Sequence, residues 1–373
     1  MPIHLINRPL VILCLFISGI VACKYAANKN QPAVSIKDKP TTEMPMPPLP
    51  AAPGDYPEDW KIVDSLERQG LFKSALERVE AIQTKAGNDK NHPQVIKALL
   101  YRGKYTAQLE EDGLTKAINL FETEEKTAKY PEKAVLQSIL GQIYKVYLSN
   151  QGWRLSERTP IPDGEGGDIL TWSAAQIEKR AFEFFAASVT QESVLENTPV
   201  ESFRDVLTPG AGDTVAGQPL RSTLFDLLAH RALEHFTNDR SWLTEPAYAF
   251  QLDQAAAFAA ADQFVKTPFE SKDSTSGKWL AIRLFQRILA HNSAAKKVAP
   301  ALAADLLRLQ FSHNNSVRED KDSLYRDALE LLHRQYTDHP MDAEVQHELA
   351  QFHYGLQTGS KGKNAQTAVD LCE

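Results

Sequence analysis

Trp60-Lys61-Ile62-Val63-Asp64-Ser65-Leu66-Glu67-Arg68-Gln69-Gly70-Leu71-Phe72-Lys73-Ser74-Ala75-Leu76 decides the fold of this chain. Trp60, Val63 and Leu66 recur at close to the 3.6-residue period of an α-helix, and Gly70 interrupts them. The same period resumes with Leu76, Val79 and Ile82, so the stretch predicts a helix, a turn and a second helix. Outward from it the pattern repeats over residues 95–105, 134–147, 172–189, 222–236, 250–265, 278–291, 301–311, 324–336 and 343–354. Pro93 and Pro131 stand just ahead of two of these runs, where a first-turn proline is tolerated. No stretch alternates apolar and polar residues between turn signals, so no strand is expected. The chain therefore predicts an all-α fold, an irregular tetratricopeptide-like array of antiparallel helix pairs, with long connections at 159–168, 208–221 and 267–277.

Two segments carry a faint repeat. Ala117-Ile118-Asn119-Leu120-Phe121 leads to Tyr130-Pro131 and then Leu140-Gly141-Gln142-Ile143-Tyr144. Ala328-Leu329-Glu330-Leu331-Leu332 leads likewise to His339-Pro340 and Leu349-Ala350-Gln351-Phe352-His353-Tyr354. This order of small residue, apolar face, proline turn and second helix with a tyrosine is that of tetratricopeptide-like helix pairs. Such a pair cannot bury its face alone, and stacking neighbours gives a binding or spacing scaffold.

The N-terminus reads as an export signal. His4 and Arg8 precede an uncharged stretch from Pro9 to Ala22, too short to span a bilayer as a permanent helix. It ends in Ile20-Val21-Ala22-Cys23, similar to the bacterial lipoprotein box, in which the cysteine thiol accepts a diacylglyceryl group before the signal is removed. Cys23 is the expected lipid attachment site, and two or three acyl chains suffice for stable anchoring. Residues 1–22 are thus assigned to the signal and 23–56 to a tether. The tether is rich in Pro, Ala, Lys, Thr and Asn around Met44-Pro45-Met46-Pro47-Pro48-Leu49-Pro50, too poor in apolar residues to fold. At about 3 Å per residue it reaches up to about 100 Å. Residues 57–373 form the expected helical domain, incomplete at its C-terminus.

The 373 residues carry a net charge of −7 with no block of lysine or arginine, which excludes nucleic acid as a main partner. Of three cysteines, Cys14 leaves with the signal and Cys23 takes lipid, so Cys372 has no intrachain partner. Stability is then expected from apolar packing.

Candidate chemistry is sparse. His347-Glu348 with His353 resembles a zinc pattern, but the histidines are six apart rather than the four that share a helix face. His230 and His235 are five apart and also diverge. Gly164-Glu165-Gly166-Gly167 lacks the Gly-Lys-Ser/Thr of a phosphate loop. No Gly-x-Ser-x-Gly elbow occurs, and Cys372 has no helper in sequence. Glu110-Glu111-Asp112 precedes a helix, whose positive end favours acids. Trp153, Trp172, Trp242 and Trp279 could form a sugar-stacking platform, but their places in apolar runs point to the core. No catalytic residue, metal ligand or cofactor is assigned, and the chain is not expected to be an enzyme.

Longer strings carry a resemblance. Residues 60–67, 70–76 and 94–101 (Gln94-Val95-Ile96-Lys97-Ala98-Leu99-Leu100-Tyr101) belong to it. So do Leu136-Gln137-Ser138-Ile139-Leu140-Gly141 and Thr223-Leu224-Phe225-Asp226-Leu227-Leu228-Ala229-His230-Arg231-Ala232-Leu233. Together they resemble the N-terminal helical region of the large, membrane-tethered bacterial alpha-2-macroglobulin family, over residues 60–373. The resemblance implies a longer protein with β-sandwich macroglobulin domains, a protease-cleavable bait segment and, in some members, a Cys-Gly-Glu-Gln thioester. Cys372-Glu373 cannot be that thioester, because the glutamine it needs would lie past the last residue.

The expected function is a membrane-anchored scaffold in the bacterial cell envelope, facing the periplasm or the cell surface. Its partners are the membrane, through the lipid, and proteases trapped by downstream domains. The rival expectation is a tetratricopeptide-like outer-membrane lipoprotein that binds glycans or a partner envelope protein.

Overall fold

The computed structural model describes residues 56–155, 169–207, 214–215, 218–237 and 248–355. The signal, Cys23, the tether up to residue 55, the glycine run 164–167, Trp242 and Cys372 lie outside the described residues. The fold is all-α, with thirteen α-helices among the described residues. A two-residue antiparallel ladder pairs Thr214 with Pro219 and Val215 with Gln218, inside a connection for which no strand was expected. The chain divides into two compact units, one of residues up to Thr123 with Phe203–Gly210, the other of Glu124–Ser202 with the residues from Ala211 on.

In the first unit, α1 (Tyr56–Arg68), α2 (Phe72–Asn88) and α3 (His92–Leu109) follow one another through three-residue connections, and α4 (Gly113–Thr127) begins there. Helix α1 starts at the last residue assigned to the tether. Tyr56 is buried, and its hydroxyl donates to Asp89 Oδ2 at 2.6 Å. The periodic residues form the core: Trp60 and Val63 of α1, Ala75, Val79, Ile82 and Ala86 of α2, Ala98 and Tyr105 of α3. The turns are made by left-handed residues. Gly70 has φ 74°, and the Leu71 N–H donates back to Leu66 O at 3.0 Å. Lys90 has φ 54°, and the Asn91 N–H reaches Ala86 O at 2.9 Å, the same C-terminal closure. Asn91 then caps α3, accepting from Gln94 N, with Pro93 in the first turn.

The second unit contains the rest of the helices. Helix α5 (Glu132–Leu155) packs along α6 (Ala174–Ala187), followed by the short α7 (Glu192–Glu196) and α8 (Leu224–Phe236). After α9 (Ala261–Lys266), α10 (Gly277–Ala294) packs on α11 (Val298–Asn315), and α12 (Lys321–Tyr336) on α13 (Asp342–Gly355). Gly141 lets α5 approach α6: a Cβ there would stand 2.7 Å from the Phe185 ring. Tyr144 and the buried Trp172 stack with ring centres 6.0 Å apart.

The expected helix over 250–265 is corrected. The structure makes only a 3₁₀ turn at Ala255–Phe258 and the six-residue α9 there. Neighbouring helices claim the backbone of this stretch instead. Arg308 Nη1 and Ser312 Oγ donate to Ala257 O at 2.6 and 3.2 Å, and Ser316 Oγ to Leu252 O at 3.0 Å. Gln286 Nε2 donates to Phe264 O and Thr267 O at 2.8 and 2.7 Å, and Trp279 Nε1 to Phe269 O at 2.8 Å. The Leu252 and Ala257 carbonyls so taken are ones that a helix over 250–265 would need for its own ladder, so there tertiary donors override local propensity.

Candidate functional site

Cys23, the expected lipid attachment site, lies outside the described residues. Among those described, several polar side chains converge at the N-terminus of α8. Thr223 and Asp226 form a reciprocal capping box: Asp226 N–H donates to Thr223 Oγ1 at 3.2 Å, while Thr223 N–H and Oγ1–H donate to Asp226 Oδ2 at 3.1 and 2.8 Å. Asp226 is fully buried. A buried carboxylate needs compensating donors and charge. It receives them from α10 and the turn that follows: Asn292 Nδ2 donates to Oδ1 at 3.1 Å, His291 Nε2 lies 3.7 Å from Oδ1, and Lys297 Nζ lies 3.9 Å from Oδ2. His291 Nδ1 faces Glu196 of α7 at 3.1 Å, and Lys297 also donates to Ser222 Oγ at 2.8 Å.

The two histidines of α8 serve different neighbours, in keeping with their spacing. His230 Nδ1 donates to Asp226 O at 2.7 Å. Burial, with repulsion from Arg221, pushes its pKa down to about 4, so it is neutral at physiological pH. His235 is buried, stacks on Phe185 with centres 4.6 Å apart, and lies 3.6 Å from Glu178 of α6.

His347, Glu348 and His353 stay apart in function as well as spacing. Glu348 accepts from Tyr325 Oη at 2.6 Å and from Gln310 Nε2 at 2.8 Å, tying α13 to α12 and α11. Burial and this bond to a carboxylate raise the Tyr325 hydroxyl above its ordinary range. His347 instead pairs with Gln351 on its own helix. Among the described residues no group of three or more His, Cys, Asp or Glu side chains is placed to hold a metal ion.

The tryptophans form no common platform among the described side chains. Trp60 is buried with its Nε1 on Gln94 Oε1 at 2.7 Å, Trp172 is buried in the second unit, and Trp279 is engaged with Phe269 O. The side chain of Trp153 lies outside those described.

A buried ion pair completes the polar interior. Arg308, 1% exposed, donates through Nε to Asp305 Oδ1 at 2.8 Å, and its guanidinium lies 4.6 Å from the Phe264 ring centre. Burial pushes the Asp305 carboxyl up and the Arg308 guanidinium down, and each partner's charge opposes the shift of the other.

Sequence reasoning did not single out Asp226, His291, Asn292 or Lys297. The one local signal was Thr223-Leu224-Phe225-Asp226, a cap pattern. Comparison of the chain with protein-family models, with curated proteins and with solved structures gives no match. No helix among the described residues is long and apolar enough to cross a membrane.

Proposed function

We propose that this chain is a lipid-anchored helical scaffold of the cell envelope, fastened at Cys23 and held off the membrane by residues 24–55. The observation that carries the scaffold reading is how the buried and half-buried charges are used. Asp226 caps and cross-ties helices, Glu348 joins three helices, and Arg308 with Asp305 holds an irregular segment. Groups committed to holding backbone and helix ends serve geometry, and a reactive constellation would instead converge on an accessible point. The leader carries the anchoring half of the proposal: Ile20-Val21-Ala22-Cys23 behind a short apolar stretch.

In this reading the scaffold positions the protease-trapping domains of an alpha-2-macroglobulin-like protein, as the strings at 60–76, 94–101, 136–141 and 223–233 suggest. Metabolic labelling with an alkyne fatty acid, followed by cell fractionation, tests the anchor. The wild-type chain should carry label and sediment with membranes, and Cys23→Ser should lose both. A Cys23→Ser protein that stays in the membrane pellet would overturn the anchor. The reading frame beyond residue 373 tests the trap: it should encode macroglobulin domains, and their absence would end that part of the proposal while leaving the scaffold.

A further inference from the structure

The first unit includes one turn from far along the chain. The backbone enters it at Phe203 from sequence that belongs to the second unit, and leaves it again after Gly210. Within Phe203-Arg204-Asp205-Val206-Leu207 the Val206 and Leu207 N–H groups donate to Phe203 O at 2.9 and 3.1 Å, which closes a single helical turn. Phe203, Val206 and Leu207 thus stand at the i, i+3, i+4 spacing of one face. Phe203 is buried and the other two are half-buried, while Arg204 and Asp205 are exposed. An aromatic anchor with apolar residues one turn on is the pattern by which a short helical segment is held in a groove.

At Asp205 the turn meets a site made of donors. Gln94 of α3 is 4% exposed; its Oε1 accepts from Trp60 Nε1 of α1 at 2.7 Å, and its Nε2 donates to Asp205 Oδ2 at 2.8 Å. Trp60 claims the amide oxygen, so the amide nitrogen is left to face an acceptor. One turn on, Lys97 Nζ lies 4.4 Å from the Trp60 ring centre. Burial lowers the pKa of Lys97, and the carboxylates of Asp205 and of Asp64 on α1 oppose that shift. A buried amide N–H without an acceptor is costly, and a cation beside it selects an acceptor that carries negative charge.

The occupant of this site is separable from what surrounds it. The core of the first unit is built from α1, α2 and α3 and includes no residue of the turn. The chain ahead of the turn is secured by contacts of its own. Pro199 bridges Thr223, Val200 N–H donates to Ser222 O at 3.0 Å, and Leu224 N–H donates to Thr198 O at 2.8 Å. We propose that Trp60, Gln94 and Lys97 form a peptide-recognition site, which residues 203–207 occupy in cis. In exchange for them it takes a short acidic, amphipathic segment of a partner protein, with an aromatic residue, an acid and two apolar residues in the order of Phe203, Asp205, Val206 and Leu207. Tethering holds the resident turn at an effective concentration on the order of 1 mM, so a partner segment enters when the resident is weakened or outcompeted. The site is independent of the anchor at Cys23 and adds recognition to the scaffold reading.

Fluorescence anisotropy of a labelled peptide with the sequence of residues 200–209, titrated with the full chain, tests this. Asp205→Lys in the chain, at an exposed position where folding is not at risk, removes the resident acceptor and sets a second cation beside Lys97. That variant should bind the native peptide about tenfold tighter than the wild-type chain does. Adding Gln94→Ala to it should reverse the gain. A peptide that itself carries Asp205→Lys should bind about tenfold more weakly than the native one, and this comparison carries the test if the Gln94→Ala chain does not fold. An Asp205→Lys chain that binds no tighter than wild type would overturn the site. So would a folded Gln94→Ala chain that keeps the gain, or an Asp205→Lys peptide that binds as well as the native one.

Discussion

What a single methyl group meets separates two glycines that look alike in sequence. A Cβ on Gly141 would stand 2.7 Å from the Phe185 ring, which is itself wedged against His235, whereas one on Gly87 meets nothing within 4 Å. Both lie in helices, where alanine gains about 1 kcal/mol over glycine. For Gly141→Ala the crowding should win, with a net loss of about 1–3 kcal/mol in denaturant unfolding. Gly87→Ala should be neutral or gain up to about 1 kcal/mol. His230 supplies a pH-dependent counterpart. Its folded pKa of about 4 lies below the ordinary 6.5, so the unfolded chain binds the proton first as pH falls. Its contribution to stability is complete above about pH 6.5 and is lost between there and about pH 4. His230→Gln should flatten the fall in thermal midpoint across that window, while a fall of unchanged slope would assign it to other groups. Thr223 and Asp226 stand three apart, the spacing of a cap, but reading the sequence alone does not single them out as one. The Asn292 amide that satisfies the other carboxylate oxygen of Asp226 comes from 66 residues away, and no local pattern encodes it.

Helix ends show how much an element owes to one backbone angle. Gly70, Lys90 and Lys296 all sit at φ between 54° and 74° and close the same kind of turn, yet only one is glycine. An L side chain pays about 1 kcal/mol or more in that region. Lys296→Gly and Lys90→Gly should therefore each raise stability by about 0.5–1 kcal/mol, since both lysines are exposed, and Gly70→Ala should lower it by about 1 kcal/mol. The helices themselves were legible because apolar residues at 3.6 spacing pay for their own burial in the pairs α1 with α2 and α12 with α13. The run 250–265 has that spacing too, and the sequence reading fails there. Its Ala255-Ala256-Ala257 is helix-favouring, but the donors that capture Leu252, Ala257, Phe264 and Thr267 carbonyls sit on α10 and α11 and just beyond. Removing the strongest should release the segment. Arg308→Met leaves Asp305 charged and unpaired and should cost about 3–5 kcal/mol, and adding Asp305→Leu should restore part of it. A double variant no more stable than the single one would mean that the bond to Ala257 O dominates.

At the scale of the molecule, the division into two units places separate cores behind separate sequences. Trp60, Val79, Ile82 and Tyr105 belong to one, while Phe185, Phe225, Phe285 and Leu309 belong to the other. The sequence suggested one continuous array, because helical periodicity reports that a face is buried and not which neighbour buries it. The chain passes between the units three times, at Thr123, Ser202 and Gly210. Two behaviours are then distinguishable by experiment. If the cores carry the stability, damage in one stays there. Arg308→Met should then raise hydrogen exchange across α10, α11 and residues 248–276 and leave α1 to α3 at wild-type protection. Gly103→Ala should do the reverse, since its Cβ would come within 2.5 Å of Phe121 in the first unit. Protection lost across both units in both variants would show instead that the three crossings make the chain one cooperative body, and the scaffold would unfold as a whole.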